Sequence, residues 1–211
     1  MSEGILKEQF DSLEQQHDAS RLGLWLFLAT EFLFFGGLFM GFAVYHLVYP
    51  LGFAAAGKLT NLWCGSINAA LLLTSGLTMA LGVNAAQRSR APAASRWVAL
   101  TMLLGAAFLA VKGVEYADDI HKHLVPGAHF ALANQPPAQI YFWLYWTMTG
   151  LHAVHLLIGL GLLAAVWLKV RRGRWIGAEG AATELTGLYW GFVDVIWIFL
   201  YPLLYLIDRH T

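Results

Sequence analysis

The sequence predicts an all-α integral membrane protein: a bundle of five transmembrane helices, N-terminus cytoplasmic and C-terminus periplasmic. Composition points to a membrane first. Of 211 residues, 58% are hydrophobic and only 12% charged, about half the charge of an average soluble domain. Second, the apolar residues gather into five runs, each long enough to cross roughly 30 Å of hydrocarbon at about 1.5 Å per residue. Third, the basic residues are distributed unevenly between the connections, and that asymmetry orients the chain.

The elements follow in order. Residues 1–21 form a polar N-terminal segment carrying Glu3, Glu8, Asp11, Glu14 and Asp18. Acid-rich and without an apolar core, it fits neither a secretory signal nor an Arg-rich transit peptide. Ile5, Leu6, Phe10 and Leu13 are spaced to share one side of a short surface helix. Residues 22–211 form a single membrane domain with spans at about 22–45, 62–86, 96–116, 140–168 and 185–207. The connections are punctuated by Pro50 and Gly52, by Pro92, by Pro126 to Pro137, and by Gly173 to Gly180. No fixed-period repeat divides the chain.

Five spans put the termini on opposite sides. Nine of the 13 basic residues fall on the N-terminal side: Lys7, Arg21, Arg88, Arg90, Arg96, Lys169, Arg171, Arg172 and Arg174. Lys58, Lys112, Lys122 and Arg209 fall on the other. The excess marks the cytoplasmic face. Tyr45, Trp63, Trp97, Tyr141, Trp167 and Tyr205 lie near span ends, where aromatic anchors belong.

The informative residues are the polar ones inside the spans, because a charged group at bilayer depth is costly unless it is received. In the last span Gly187, Gly191, Asp194, Ile198 and Tyr201 share a face, so the carboxyl points where another backbone can approach closely. In the fourth span Thr149, His152, His155 and Gly159 form a stripe of small and polar residues, and Gly150 is a further helix-packing candidate. His155 and Asp194 lie at matching depth on consecutive spans, which predicts an Asp194–His155 hydrogen bond, with His152 as the second choice. Glu31 sits in the first span beside Gly36, Gly37 and Gly41, which predict tight helix contact. Lys112 and Glu115 are three apart near the end of the third span and can pair. In the second span Asn68, Thr74, Ser75 and Thr78 suit interhelical hydrogen bonds. These groups read either as the polar glue of a bundle or as a proton or ion path.

Several classes of function find no support. Zero formal net charge gives no field to recruit nucleic acid. A single cysteine, Cys64, excludes an internal disulfide or a thiolate cluster and reads as a small apolar filler. His152 and His155 make one histidine pair on one helix, short of a di-iron or di-haem site, and His121, His123 and His129 lie in a loop. The expectation is no bound metal. No phosphate loop, dinucleotide fingerprint or nucleophile elbow is present. A small proton-coupled transporter would account for Glu31, Glu115 and Asp194, but paired repeats and broken helices are absent.

Four stretches resemble the subunit III family of the haem-copper terminal oxidases, the cytochrome c oxidases among them, in its short five-helix bacterial form. They are residues 26–39 around Glu31, 68–78 beginning at Asn68, 149–159 with His152 and His155, and 189–197 with Asp194; the Glu115–Tyr116 pair also matches. The resemblance implies an enzyme subunit with no catalytic centre and no cofactor of its own, haem and copper being carried by partner subunits I and II. It implies packing on subunit I, contact with subunit II, further partners such as subunit IV or a respiratory supercomplex, and phospholipid held in a cleft. It also implies the bacterial inner membrane and a role in sustaining proton uptake and turnover. A quinol oxidase subunit or a nitric oxide reductase accessory protein shares the same architecture. The family usually has His where this chain has Gly191, so the resemblance leaves Asp194 to find its partner across helices, or to be protonated.

Overall fold

The computed structural model describes residues 12–127, 129–177 and 180–207. The first eleven residues, including Ile5, Leu6 and Phe10, lie outside the described part, as does Arg209.

Local chemistry sets the helix starts. Ser12 caps α1 (Leu13–Val48) by accepting the Gln15 N–H at 3.2 Å, the usual role of a hydroxyl at that position. Asn61 caps α3 (Leu62–Gln87) by accepting the Trp63 and Cys64 N–H groups. Prolines stand in the first turns of α2 (Pro50–Gly57), α4 (Ala91–His121) and α5 (Pro136–Arg171). There a missing N–H costs nothing, because the first-turn donors have no partner within the helix. Prolines that punctuate connections in the sequence are therefore helix starts, and α2 is a helix where the sequence predicts a connection. The last helix, α6 (Ala181–Tyr201), runs into a π-helical turn at Pro202–Leu206.

Five of these helices are long and apolar enough to cross a membrane. They outrun the apolar runs: α1 and α5 have 36 residues each, about 54 Å at 1.5 Å per residue. The excess over the hydrocarbon core must tilt or project into the interfaces. The positions 13–21 continue α1 as helix, because the cap at Ser12 and good helix formers extend the hydrogen-bonded ladder past the last apolar residue.

The helices pack as an antiparallel bundle. α3 and α4 form a hairpin closed by Arg88, Ser89 and Arg90, with Ser89 at φ +57. Across this pair the Thr78 and Thr101 hydroxyls meet at 2.8 Å. α6 is the centre, with Trp190, Val193, Trp197 and Leu200 buried. The short α2 covers one end: Phe53 is fully buried against Phe42 and Tyr141, and Gly52 lets Pro137 approach. α1 is the peripheral helix, with Leu33 73% and Leu47 79% exposed. Glycines 36, 37 and 41 have no atom within 4 Å of a Cβ, so the tight contact expected there is not made within this chain. α1 turns that face away from α5 and α6.

Candidate functional site

Backbone approach and polar pairing decide the α3–α6 seam together. Small residues of α3 receive large ones of α6 and its π-helical turn in antiparallel order. Gly65 accepts the Tyr205 ring, Ser66 bonds the Tyr201 hydroxyl at 2.7 Å, and Ser75 accepts the Trp190 indole N–H at 3.0 Å. Gly76 lies under Asp194, where a Cβ would stand 2.5 Å from Oδ2. Gly187 in turn receives Val83, whose Cγ2 a Cβ there would meet at 2.8 Å. The face predicted for Asp194 is thus a packing face, and α3 is the helix it meets. Trp190 fills the space left by two further glycines, Gly105 of α4 and Gly159 of α5, with Cβ positions 2.7 and 3.0 Å from its ring.

The expected Asp194–His155 bond is not formed. His155 directs Nδ1 to the Tyr189 hydroxyl at 3.1 Å and Nε2 to Glu31 Oε2 at 3.4 Å. Both carboxyl oxygens of Asp194 are buried with no hydrogen-bond partner. The reason is angular: matching depth places the two residues at one level, but α6 turns Asp194 towards α3 and Tyr189 towards α5. His152, the second choice, does not bond Asp194 either. It is buried between Trp197 and Phe108, at ring-centroid distances of 5.1 and 5.5 Å, with Nε2 unpartnered. Glu31, to which the sequence assigned no partner, is the group that brings α1 to α5 and, through Tyr189, to α6.

Two of the four predicted packing glycines behave differently. Gly159 and Gly187 are close-approach positions, whereas Gly150 and Gly191 have nothing within 4 Å of a Cβ. Gly191 instead floors open grooves on either side of α6, one walled by α1 and the other by α3. Two outcomes follow. Gly187→Leu should lower the melting temperature of the purified assembly by driving into Val83, while Gly191→Ala should leave this chain's fold unchanged; equal losses would contradict the groove. Arg21 and Glu184 pair at 2.7 Å with 52% and 33% of their side chains exposed. Such pairs contribute about 0–1 kcal/mol, so Arg21→Ala should barely move the same melting curve.

The densest polar cluster joins α4, α5 and the π turn. Lys112, 2% exposed, donates to Glu115 Oε2 at 3.0 Å, to the Tyr145 hydroxyl at 3.0 Å and to the Tyr205 hydroxyl at 2.7 Å. Tyr205 donates to Glu115 Oε1 at 2.7 Å. The Tyr145 hydroxyl also lies 3.0 Å from Glu115 Oε1 and 2.9 Å from Asp119 Oδ2. The pairing of Lys112 with Glu115 was legible from their spacing. The tyrosines were not, since 30 and 90 residues separate Glu115 from Tyr145 and Tyr205. At the rim, Lys122 bonds Asp118, which raises the lysine above its ordinary pKa and keeps it charged.

Asn68, expected to bond across helices, is buried with both amide atoms unpartnered, and the Trp197 indole N–H is unpartnered as well. Ser75 and Thr78 do make interhelical bonds, whereas Thr74 is exposed and bonds the Ala70 carbonyl of its own helix.

Fold and site together define a polytopic helical membrane protein whose buried polar groups pair mainly with one another. Among the described residues no group of three or more His, Cys, Asp or Glu side chains is placed to hold a metal ion. The chain belongs to the cytochrome c oxidase subunit III family, whose model matches residues 11–208. It is similar to cytochrome c oxidase subunit 3 of Thermostichus vulcanus, 30% identical over 94% of this chain and 92% of that one. The subunit 3 of Corynebacterium diphtheriae is 31% identical over 89% and 87% of the two chains. That of Pelomedusa subrufa is 28% identical, covering 88% of this chain but 68% of the longer relative.

Proposed function

We propose that the chain is the non-redox subunit III of an aerobic haem-copper cytochrome c oxidase of the bacterial inner membrane. It packs on subunit I, near subunit II, holds phospholipid, and sustains proton uptake and turnover stability during oxygen reduction. The observation that carries this reading is family membership over nearly the whole chain. The interior supports it: Glu31, Glu115, His155 and Lys112 are engaged with partners from this same chain, an arrangement suited to holding helices together. Asp194 serves helix packing against Gly76 in this reading, without an ion-pair partner.

The N-terminus is assigned to the cytoplasmic side. Arg88, Arg90, Lys169, Arg171 and Arg172 cluster at the end of the bundle where α3 and α5 finish and α4 begins, as the positive-inside rule requires. Arg171 over Trp167 and Lys169 over Trp175 anchor that end at an interface. Lipid has a seat beside α6. The apolar groove between α1 and α6, about 540 Å³, is lined by Trp25, Phe32, Leu33, Leu188 and Phe192 among others. Its apolar lining suits acyl chains.

Purification in mild detergent through a tag on this chain tests the reading. Haem-bearing large subunits should co-purify, and cytochrome c oxidation should follow the tagged fraction. A stable haem-free monomer as the sole product would overturn it.

A further inference from the structure

The hydrogen bonds around Tyr145 pair one proton with each contact only when one more proton is present. Lys112 has three protons, and each has a partner: Glu115 Oε2, Tyr145 and Tyr205. Tyr205 accepts from Lys112 and spends its own proton on Glu115 Oε1. Tyr145 accepts from Lys112, keeps one proton to donate, and yet lies at hydrogen-bond distance from two carboxyl oxygens, Glu115 Oε1 at 3.0 Å and Asp119 Oδ2 at 2.9 Å. A phenol has one donor and two acceptor sites. With both carboxyls ionised, the one phenol proton would have to be shared in a three-centre bond between two anions inside a buried cluster. With one carboxyl protonated, every contact is a hydrogen bond: that acid donates to Tyr145, and Tyr145 donates to the other carboxylate.

Charge selects the same state and the residue. Lys112, Glu115 and Asp119 are each no more than 2% exposed, and a buried group of charges is tolerated when it is neutral and fully bonded. One ammonium balances one carboxylate. Glu115 is the ionised partner because it faces Lys112 and receives both tyrosines. Asp119 meets Tyr145 alone among these donors. The neighbouring titratable groups do not change that count. On α4, Asp118 is half exposed and is paired with Lys122, and Tyr116 bonds Thr149. Cys64 faces the cluster from α3 and His152 from α5.

We propose that Asp119, Tyr145 and Glu115 form a proton-binding site where the end of α4 meets the start of α5 and the π turn, with the proton resident on Asp119. Tyr145 is its relay. When the Asp119 proton passes to the Tyr145 oxygen, the Tyr145 proton passes to Glu115 Oε1. The charge then moves from Glu115 to Asp119 and no net proton enters or leaves. The site goes beyond a packing role and does not depend on which electron donor serves the assembly.

Infrared difference spectroscopy of the purified full assembly tests it, with aspartate isotopically labelled at the side-chain carboxyl carbon. The wild-type spectrum minus that of Asp119→Asn should contain a protonated-carboxyl C=O band that shifts with the label and in heavy water. A difference showing only ionised-carboxylate bands overturns the proposal, and so does a band that follows labelled glutamate in place of aspartate. Should Asp119→Asn fail to assemble, Tyr145→Phe serves instead: the labelled-aspartate band should persist and move to higher frequency as its acceptor is removed. An unmoved or absent band in that variant equally overturns the site.

Discussion

Glu115→Leu should be among the most damaging single substitutions in the chain. It leaves the Lys112 ammonium buried with two neutral hydroxyls, and removing one partner of a buried ion pair typically costs about 3–5 kcal/mol. Lys112→Met strands the opposite charge and should cost a similar amount. The informative variant is the pair. Lys112→Met with Glu115→Leu removes both charges and substitutes apolar groups of comparable size, which is often neutral or stabilising relative to the ion pair. The double variant should therefore recover most of the loss, costing far less than the two singles added together in a double-mutant cycle. Thermal unfolding of the purified assembly, together with retention of this chain after detergent washing, measures it. Additive losses would mean that the lysine and the glutamate act independently.

That cluster also shows how far a sequence can be read. Five spans were legible because a bilayer demands long apolar runs, and nothing else in a chain of this size produces five of them. Helix ends were not, since a helix extends past the hydrocarbon wherever capping and propensity allow, as at Ser12 and at Asp119 to His121. Within one helix, spacing sufficed: Lys112 and Glu115 pair three residues apart. Between helices, depth fixes only one coordinate. Asp194 and His155 share a level, but rotation about each helix axis sent the first to Gly76 and the second to Glu31 and Tyr189. Glycines were ambiguous for the same reason. Gly187 and Gly191 both read as packing positions, yet the first meets Val83 and the second meets open space. Family resemblance points to stretches of sequence without saying which of their side chains touch. The π turn was invisible altogether, although it is what aims Tyr205 at Lys112.

Trp190 is where the bundle is most exposed to a change of volume. Its ring is fully buried and lies against Gly105 of α4 and Gly159 of α5, while its indole N–H reaches Ser75 of α3. One side chain therefore sets the spacing of four helices. Within a membrane, helix association depends on packing and interhelical hydrogen bonds, because lipid tails are as apolar as the side chains. Trp190→Ala should cost about 3–5 kcal/mol through the cavity it leaves. Trp190→Phe keeps most of the volume and removes the bond to Ser75, about 1 kcal/mol. Gly159→Leu approaches the same contact from the other side. Its branches must enter space held by a ring 3.0 Å from the Cβ position, and overpacking of this kind costs about 1–3 kcal/mol. If the ring is the spacer, Trp190→Ala should partly rescue Gly159→Leu, since the larger residue then fills the space the ring vacated. Melting of the four purified assemblies, with co-purification of the other oxidase subunits as the second readout, decides it. A double variant that loses as much as the sum of the singles would show that α4 and α5 are held apart by something other than Trp190.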